Sequence, residues 1–225
     1  MPTPDPTWFE RDPLELAPLL LGGVLRRADA SGAVALRLTE VEAYRGSDDP
    51  GAHTFRGKTA RNATMFGPGG HVYCYFTYGM HHAVNVVAGP EGSGWGVLVR
   101  AGEVVEGESL ARERRSARRA SAPTGELARG PGNVAQALGA TLADDGAALL
   151  DEPSPGHRGG PEAHIEMTPL WSFEPAAEPP AHRTGPRVGV SGPGGDASAY
   201  PWRFWLPGEP SVSAYRAAVA RRRSR

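Results

Sequence analysis

The 225-residue sequence predicts a single α+β domain on a mixed, mostly antiparallel β-sheet with flanking helices. Short stretches of strand-like alternation are separated by turn residues, and only three short segments have helical signals. Glycine (30) and proline (22) are abundant. Together they make up about 23% of the chain, roughly twice ordinary usage, which favours a turn-rich fold over a helical bundle. Hydrophobic residues make up 40% of the chain, enough for a sizeable core.

The N-terminal part predicts a helix followed by a β-hairpin. Asp12 is a candidate N-cap and Pro13 stands at the first helical position, so we expect a helix that ends at Gly22-Gly23. Residues 24–29 and 34–43 then form the two arms of the hairpin, because the second arm alternates between apolar and other residues.

Two glutamates follow the apolar stretch of that second arm. Glu40 and Glu42 have the same parity as Val34, Leu36 and Leu38. If no β-bulge intervenes, one or both carboxylates point to the buried side of the strand. Removal from water raises the pKa of a carboxylate there, so that it can act as a base.

The remaining elements are shorter. Strands are predicted over residues 71–78, 84–88, 95–100, 187–190 and 202–206, and helices over 107–120 and 131–138. Residues 45–70 are predicted to form a long loop of the kind that is often functional. Residues 1–11 are expected to be a flexible N-terminus, 12–213 a single domain with an irregular excursion at 151–186, and 214–225 a basic C-terminal tail.

Two clusters have both an ordinary and a functional interpretation. Five aromatic residues between positions 66 and 78 either pack a sheet or offer flat surfaces on which a planar ring can stack. Five arginines between positions 112 and 119 form either a solvated helix face or a phosphate-facing patch. The turn at residues 130–133 opens a predicted helix, whose free N–H groups could receive a phosphate.

Composition excludes several classes of protein. The single cysteine, Cys74, allows no internal disulfide and no Cys-rich zinc or iron–sulfur site, and the spacing of the histidines predicts no metal site. No apolar run approaches the roughly 20 residues of a membrane span, and no secretory signal is recognisable, so we expect a cytoplasmic protein without a membrane partner. The formal net charge of −1 gives no global signature of a nucleic-acid binder.

A longer set of motifs follows one order along the chain. It runs through Thr39–Tyr44, Ala52-His53, Arg61-Asn62, Met65-Phe66, Pro68-Gly69, Tyr73-x-Tyr75-x-x-Tyr78-Gly79-Met80, Asn85, Val97–Ala101, Gly130–Asn133, Arg187–Val190 and Trp202–Phe204. This ordered set, covering about residues 12–140 and 185–213, resembles the alkyladenine (3-methyladenine) DNA glycosylase family. The resemblance implies an α+β domain on a curved sheet, similar to the C-terminal domain of formyltransferases.

The resemblance also implies a mechanism. Such enzymes flip a damaged purine out of duplex DNA and hydrolyse its N-glycosidic bond, which leaves an abasic site. By resemblance, Glu42 is the general base that activates water, and Arg100 holds water or phosphate nearby. The implied base-binding residues are Tyr44 and Tyr75 as a sandwich, His53 at the edge of the base, and Asn85 as a barrier to guanine. The implied DNA contacts are Tyr78 as a wedge, Met80, and the turn Gly130, Pro131, Gly132, Asn133.

The implied partner is double-stranded DNA containing a damaged purine of the 3-methyladenine, hypoxanthine or ethenoadenine class, bound by a monomer without a cofactor or metal. Lys58 is the only lysine and lies in the long loop, so a hydrolase without Schiff-base lyase activity is expected. Two alternatives stay open. The chain could be a catalytically silent nucleic-acid-binding module on the same fold, or an enzyme of free nucleosides, in which the arginine-rich helix and Tyr78 would have no role.

Overall fold

A computed structural model describes residues 4–77, 79–116, 122–149 and 169–218. This part of the chain contains three α-helices and nine β-strands. The helices are α1 (Pro13–Leu20), α2 (Glu108–Ser116) and α3 (Pro131–Leu138). The strands are β1 (Val24–Asp29), β2 (Gly32–Arg45), β3 (Val72–Thr77), β4 (His81–Ala88), β5 (Trp95–Glu106), β6 (Ala128–Arg129), β7 (Leu170–Glu174), β8 (Arg183–Gly185) and β9 (Arg203–Trp205).

All nine strands belong to one sheet. Its central path is β3-β4-β5-β2-β1-β7, with β6 beside β5 and with β9 pairing both β2 and β8. Each of these strand pairs is antiparallel. The predicted α+β class with a mostly antiparallel sheet is therefore confirmed.

Two of the helices begin and end where their local signals predict. The Asp12 carboxylate caps α1 by accepting a hydrogen bond from the Leu14 N–H at 2.9 Å. Helix α3 begins at Pro131 and ends at Gly139, whose φ of +69° is a conformation that glycine adopts without strain. Such caps depend on neighbouring residues alone, which is why the sequence predicts them well.

Strand β2 changes partner and register in its middle. On one edge it pairs with β1 up to Arg37 and with β9 from Glu40 to Glu42. On the other edge it pairs with β5, and there Thr39 on β2 and Arg100 on β5 have no partner in the register. These are two β-bulges, and each reverses the side to which the following residues point.

The bulge in β2 changes which residues of the strand point to the apolar face of the sheet and which to the polar face. The residues of β2 in the hydrophobic core are Val34, Leu36 and Leu38 before the bulge, but Val41 and Ala43 after it. Buried residues of α1, α2 and α3 belong to the same core, so we call this side the core face. Glu40 and Glu42 therefore point away from the core. The condition under which they would share the apolar face of β2, a strand without a bulge, is not met.

The stretch 151–186, predicted to be irregular, contains two strands in its described part. Strand β7 pairs with β1, and Trp171 and Phe173 enter the core. Strand β8 pairs with β9. Conversely, residues 187–190 form a turn and not the predicted strand. The two strands are missed because their pairing partners are distant in sequence, so local alternation does not reveal them.

The described residues nearest the two ends make defined contacts, while residues 1–3 of the expected flexible N-terminus and 219–225 of the expected basic tail lie outside the described residues. Residues 6–9 form a 3-10 helix, and Phe9 is fully buried, where its ring meets Trp8 and Phe173, so this part is not a frayed end. Near the other end, the Arg216 carbonyl accepts a hydrogen bond from the Gly189 N–H at 3.1 Å. Within the described ranges, no helix is long and apolar enough to cross a membrane.

Candidate active site

A cavity of about 490 Å³ opens on the side of the sheet opposite the core, which we call the site face. Strands β2 to β5 and two loops, residues 50–53 and 188–191, supply its lining. All six residues that the resemblance implies for catalysis and base binding line this cavity: Glu42, Arg100, Tyr44, His53, Tyr75 and Asn85. The fold therefore brings them together from four strands and a loop.

Glu42 is fully buried, and three groups hold its carboxylate. The backbone N–H of Val188 donates to Oε1 at 2.7 Å, and the Tyr44 hydroxyl donates to Oε2 at 2.9 Å. Arg100 Nε lies 3.4 Å from Oε1. The carboxylate is thus fixed in one orientation at the edge of a cavity that can admit a ligand.

Tyr44 remains a hydrogen-bond donor because it is kept protonated. Burial and the neighbouring Glu42 carboxylate raise the pKa of its hydroxyl well above 10. The guanidinium of Arg187 lies over the Tyr44 ring, 4.5 Å from its centroid. Arg187 itself is anchored by Asp49 Oδ1 at 2.6 Å and by the carbonyls of Ala43 at 3.0 Å and Gly194 at 2.8 Å.

Close packing of two glycine-containing loops holds Val188 against Glu42. A Cβ at Gly194 would lie 2.3 Å from the backbone nitrogen of Gly51, so the loop after β8 can cross the loop after β2 only where a side chain is absent. At the Gly192–Gly195 segment the two loops therefore pack backbone against backbone, and this contact helps to position the preceding Val188 N–H.

Arg100 is the cation of the site. It is 5% exposed, and its Nε donates to Glu40 Oε1 at 2.8 Å. Burial lowers the pKa of a guanidinium, but the charges of Glu42 and Glu40 outweigh this effect and raise the pKa of Arg100. Arg100 is therefore a permanent positive charge beside both carboxylates.

Aromatic rings form another wall of the cavity. The ring of Tyr75 stacks on Tyr73 with centroids 5.3 Å apart and meets His53 edge-on at 4.6 Å. Partial removal of water around the ring, together with the charge of Arg61, lowers the pKa of His53, so its imidazole is neutral at pH 7. Tyr73 is 1% exposed, packs in a small buried cluster with Met65 and Val87, and also lines the cavity.

Asn85 presents an oriented amide to the cavity. Its side chain is 5% exposed, and Nδ2 donates to the Tyr73 carbonyl at 3.2 Å. The backbone around it is paired on both sides, with Tyr73 on β3 and with Leu98 on β5. The amide is thus held by a rigid part of the sheet.

The residues implied for DNA contact surround the cavity unevenly. Met80 is 59% exposed, Pro131 lines the cavity, and Tyr78 lies outside the described residues. The Asn133 side chain is already occupied, since Nδ2 donates to the Arg129 carbonyl at 2.6 Å and Oδ1 accepts from Arg115. Gly130, with a φ of +92°, and Gly132, beside His81, shape the turn.

A second cavity of about 760 Å³ adjoins the first and shares Arg100 and Val188 with it. Arg115, Arg129 and Arg216 also line it, against one acidic residue, Glu126. One of the arginines between positions 112 and 119 is therefore placed beside the site, although the net charge of the chain is close to zero.

Several lining residues were not predicted. Leu98 and Met65 add apolar surface, and residues 188–191 close one side. The only signal for that last group is that Arg187–Val190 belongs to the ordered motif set.

In the ranges that the structure describes, no three His, Cys, Asp or Glu side chains lie together in a metal-binding arrangement. The amine of Lys58 lies 5.9 Å from the centroid of the Phe66 ring.

This arrangement can carry out hydrolysis at a carbon that develops positive charge. A buried, oriented carboxylate can take a proton from water and stabilise a nearby cation. Rings of Tyr75 and Tyr44 can contact the faces of a planar ligand, and the Asn85 amide can distinguish polar groups at its edge.

Comparisons with known proteins agree with this chemistry. Residues 7–210 match the family described as methylpurine-DNA glycosylase. A protein of Streptomyces avermitilis is 50% identical over 96% of this chain and 93% of its own length. One of Leifsonia xyli subsp. xyli is 51% identical over 92% and 90%, and one of Nocardia farcinica 49% over 91% and 88%. All three have the provisional name 3-methyladenine DNA glycosylase.

Proposed function

This chain belongs to the methylpurine-DNA glycosylase family and is a DNA glycosylase, an enzyme of DNA repair; from this premise we propose that it excises damaged purines from duplex DNA by hydrolysis. The substrates are alkylated or deaminated purines of the 3-methyladenine, hypoxanthine and ethenoadenine class. The flipped base enters the 490 Å³ cavity, and the product is an abasic site.

The reaction uses water as the nucleophile. As the C1′–N bond to the purine breaks, the sugar develops oxocarbenium character, and the oxygen of water forms the new bond to C1′. Glu42 takes a proton from that water, and the bonding electrons leave with the purine, which takes up a proton when it departs as an anion. The charge of Glu42 also stabilises the positive sugar.

One observation carries this proposal. The Glu42 carboxylate is completely buried, is oriented by Tyr44 and Val188, and lies beside a cavity with ring surfaces. A carboxylate on an ordinary surface strand would have neither the fixed orientation nor the cavity.

Base recognition follows from the same cavity. We propose that Tyr44 and Tyr75 enclose the faces of the purine and that His53, as the neutral imidazole, contacts its edge. The Asn85 amide, fixed by the Tyr73 carbonyl, meets the 2-amino group of guanine unfavourably and so excludes it.

The arginine-lined cavity supports a route for the DNA backbone. Arg115, Arg129 and Arg216 lie next to the base cavity, where phosphates that flank a flipped nucleotide would pass. Met80 contacts the duplex, and Tyr78 fills the gap left in the base stack. Because one chain supplies every group in this scheme, the enzyme acts as a monomer.

A duplex with one hypoxanthine tests the proposal. We expect release of free hypoxanthine, strand cleavage only after alkali, no reaction with an undamaged duplex, and a rate that falls as salt is raised. Strand cleavage during the enzyme step would contradict hydrolysis by water. Equal cleavage of free deoxyinosine would contradict DNA as the substrate.

A further inference from the structure

Two glutamates and two arginines form one buried charge cluster on the site face, and the proposed reaction uses only two of them. Glu40 and Glu42 are completely buried, while Arg100 and Arg203 are 5% and 4% exposed. Glu42 and Arg100 line the base cavity, whereas Glu40 and Arg203 lie behind it. The second pair therefore has no part in the reaction as described above.

Glu40 is the centre of the hydrogen bonds in this cluster. Its Oε1 accepts from Arg100 Nε at 2.8 Å and from Arg203 Nε at 2.7 Å. Ser213 donates to Oε2 from its backbone N–H at 2.9 Å and from its hydroxyl at 3.0 Å. Strand β5, strand β9 and the C-terminal segment thus converge on a carboxylate that does not line the base cavity.

Arg100 lies between the two carboxylates, and the nearer one is not the proposed base. Its Nε is 2.8 Å from Glu40 but 3.4 Å from Glu42. A guanidinium in close contact with a buried carboxylate favours the charged form of that carboxylate. Because a base must accept a proton, close pairing with Arg100 would weaken Glu42 in that role.

We infer that Glu40 is a positioning residue, which holds the Arg100 guanidinium back from a close ion pair with Glu42 and so preserves Glu42 as a base. This inference rests on the proposed function, since it takes Glu42 as the group that accepts the proton of water. It deepens that function by giving a role to a carboxylate outside the cavity.

The charges around Glu42 determine the direction of the effect. The Glu42 carboxylate faces Arg100 from β5 and the Tyr44 hydroxyl from its own strand. The loop after β8 adds the charge of Arg187 and the N–H of Val188, and Glu40 lies two residues earlier. Removal of the negative charge of Glu40 takes away a like charge and also leaves Glu42 as the nearest carboxylate to Arg100. Both changes make the surroundings of the Glu42 carboxylate more positive, so both make it a weaker acceptor of the proton of water.

Glu40 itself stays ionised over the working pH range. Burial alone would raise the pKa of its carboxyl, but Arg100, the Ser213 N–H and Arg203 together hold that pKa below its ordinary value of 4.5. A kinetic titration near neutral pH therefore does not report the protonation of Glu40.

The test compares a charge-balanced variant with a matched control. Glu40→Gln alone leaves two arginines with one carboxylate and can fail to fold, whereas Glu40→Gln with Arg203→Met removes one charge of each sign. Arg203→Met alone is the control, because it disturbs the same cluster but keeps Glu40 against Arg100. Single-turnover release of hypoxanthine is measured from pH 5 to 9, with circular dichroism and duplex affinity as measures of folding and binding.

We expect the double variant to bind the duplex within about twofold of wild type but to react about tenfold more slowly at pH 7. Arg203→Met alone reacts within about threefold of wild type across the pH range. A folded double variant with wild-type rates at every pH overturns the inference, and so does an Arg203→Met variant that is slowed as much as the double variant. Absence of hypoxanthine release by the wild type, by contrast, contradicts the proposed function itself.

Discussion

The two faces of the same strands have opposite properties. On the core face, Val41 and Ala43 pack in an apolar cluster with residues of all three helices. On the site face, Glu40 and Glu42 are equally buried but are covered by arginines, a serine and the loop that begins at Arg187. Burial alone therefore does not distinguish the two faces. What differs is that the buried carboxylates of Glu40 and Glu42 on the site face are paired with arginine and accept hydrogen bonds from further donors.

A single strand, β2, contributes both to the apolar core and to the charged site. Apolar residues need only complementary volume, so short-range alternation fills the core face. Buried carboxylates need specific donors, and these come from β5, β9 and the C-terminal segment, which are distant in sequence. The site face is thus assembled only when the whole domain is folded.

The largest expected effect is on the site face. Glu42→Gln should lower the single-turnover rate on a hypoxanthine duplex by roughly a thousandfold or more, because the amide cannot accept the proton of water. Duplex affinity should stay within about twofold, since the side chain keeps its volume. Turnover comparable to wild type would remove Glu42 from the role of base.

A change on the core face should lower stability and leave the excision rate of the folded protein unchanged. Leu36→Ala removes a fully buried side chain and should lower the free energy of unfolding by about 3 kcal/mol in urea titrations. The excision rate of the folded protein should be unchanged. Val105→Ala, at a half-exposed position of β5, is the control, with an expected change below about 0.5 kcal/mol. A rate that fell together with stability would show that the two faces are coupled.

A smaller effect should appear in selectivity. Asn85→Ala removes the amide proposed to exclude guanine, so guanine release from undamaged duplex should become detectable. Excision of hypoxanthine should change by about tenfold at most, because one hydrogen bond contributes only about 0.5–1.5 kcal/mol. Chromatography of released bases from matched duplexes measures both. Unchanged discrimination would show that another residue excludes guanine.

The smallest expected effect is the pH dependence of stability. The pKa of Glu40 is lower in the folded protein than its ordinary value of 4.5, so its ion pairs stabilise the fold above that pH. This contribution is lost as pH falls from 4.5 through the folded-state pKa. Urea midpoints measured between pH 3 and 7 should decline at the acid end, and the decline should be shallower in the Glu40→Gln, Arg203→Met variant. An equal slope would indicate that other carboxylates dominate.

Some of this molecule could be predicted from local sequence and some could not. The limits of α1 and α3 follow from Asp12, Pro13, Pro131 and Gly139, whose effects on the backbone are local. The ordered motifs include Glu42, Tyr44 and Asn85, and these residues line one cavity, while their roles stay predictions. The side to which Glu42 points could not be predicted, because local alternation does not reveal the bulge at Thr39.

The missed features depend on contacts between distant segments. Strand β7 is short and lies in a proline-rich region, and it forms because β1 offers a free edge. Val188 was interpreted as part of a strand, whereas its N–H is needed by Glu42, which lies 146 residues earlier. Neither the edge nor the carboxylate can be recognised from the residues next to β7 or Val188.

Because of the bulge at Thr39, the number of residues in β2 matters more than the identity of most of them. Deletion of one residue there would rotate everything that follows to the other side, so that two carboxylates would enter the apolar layer while two aliphatic side chains faced the ligand. A single replacement in this strand therefore affects one face at a time, whereas a gain or loss of a single codon between Leu38 and Val41 would disrupt folding and chemistry together.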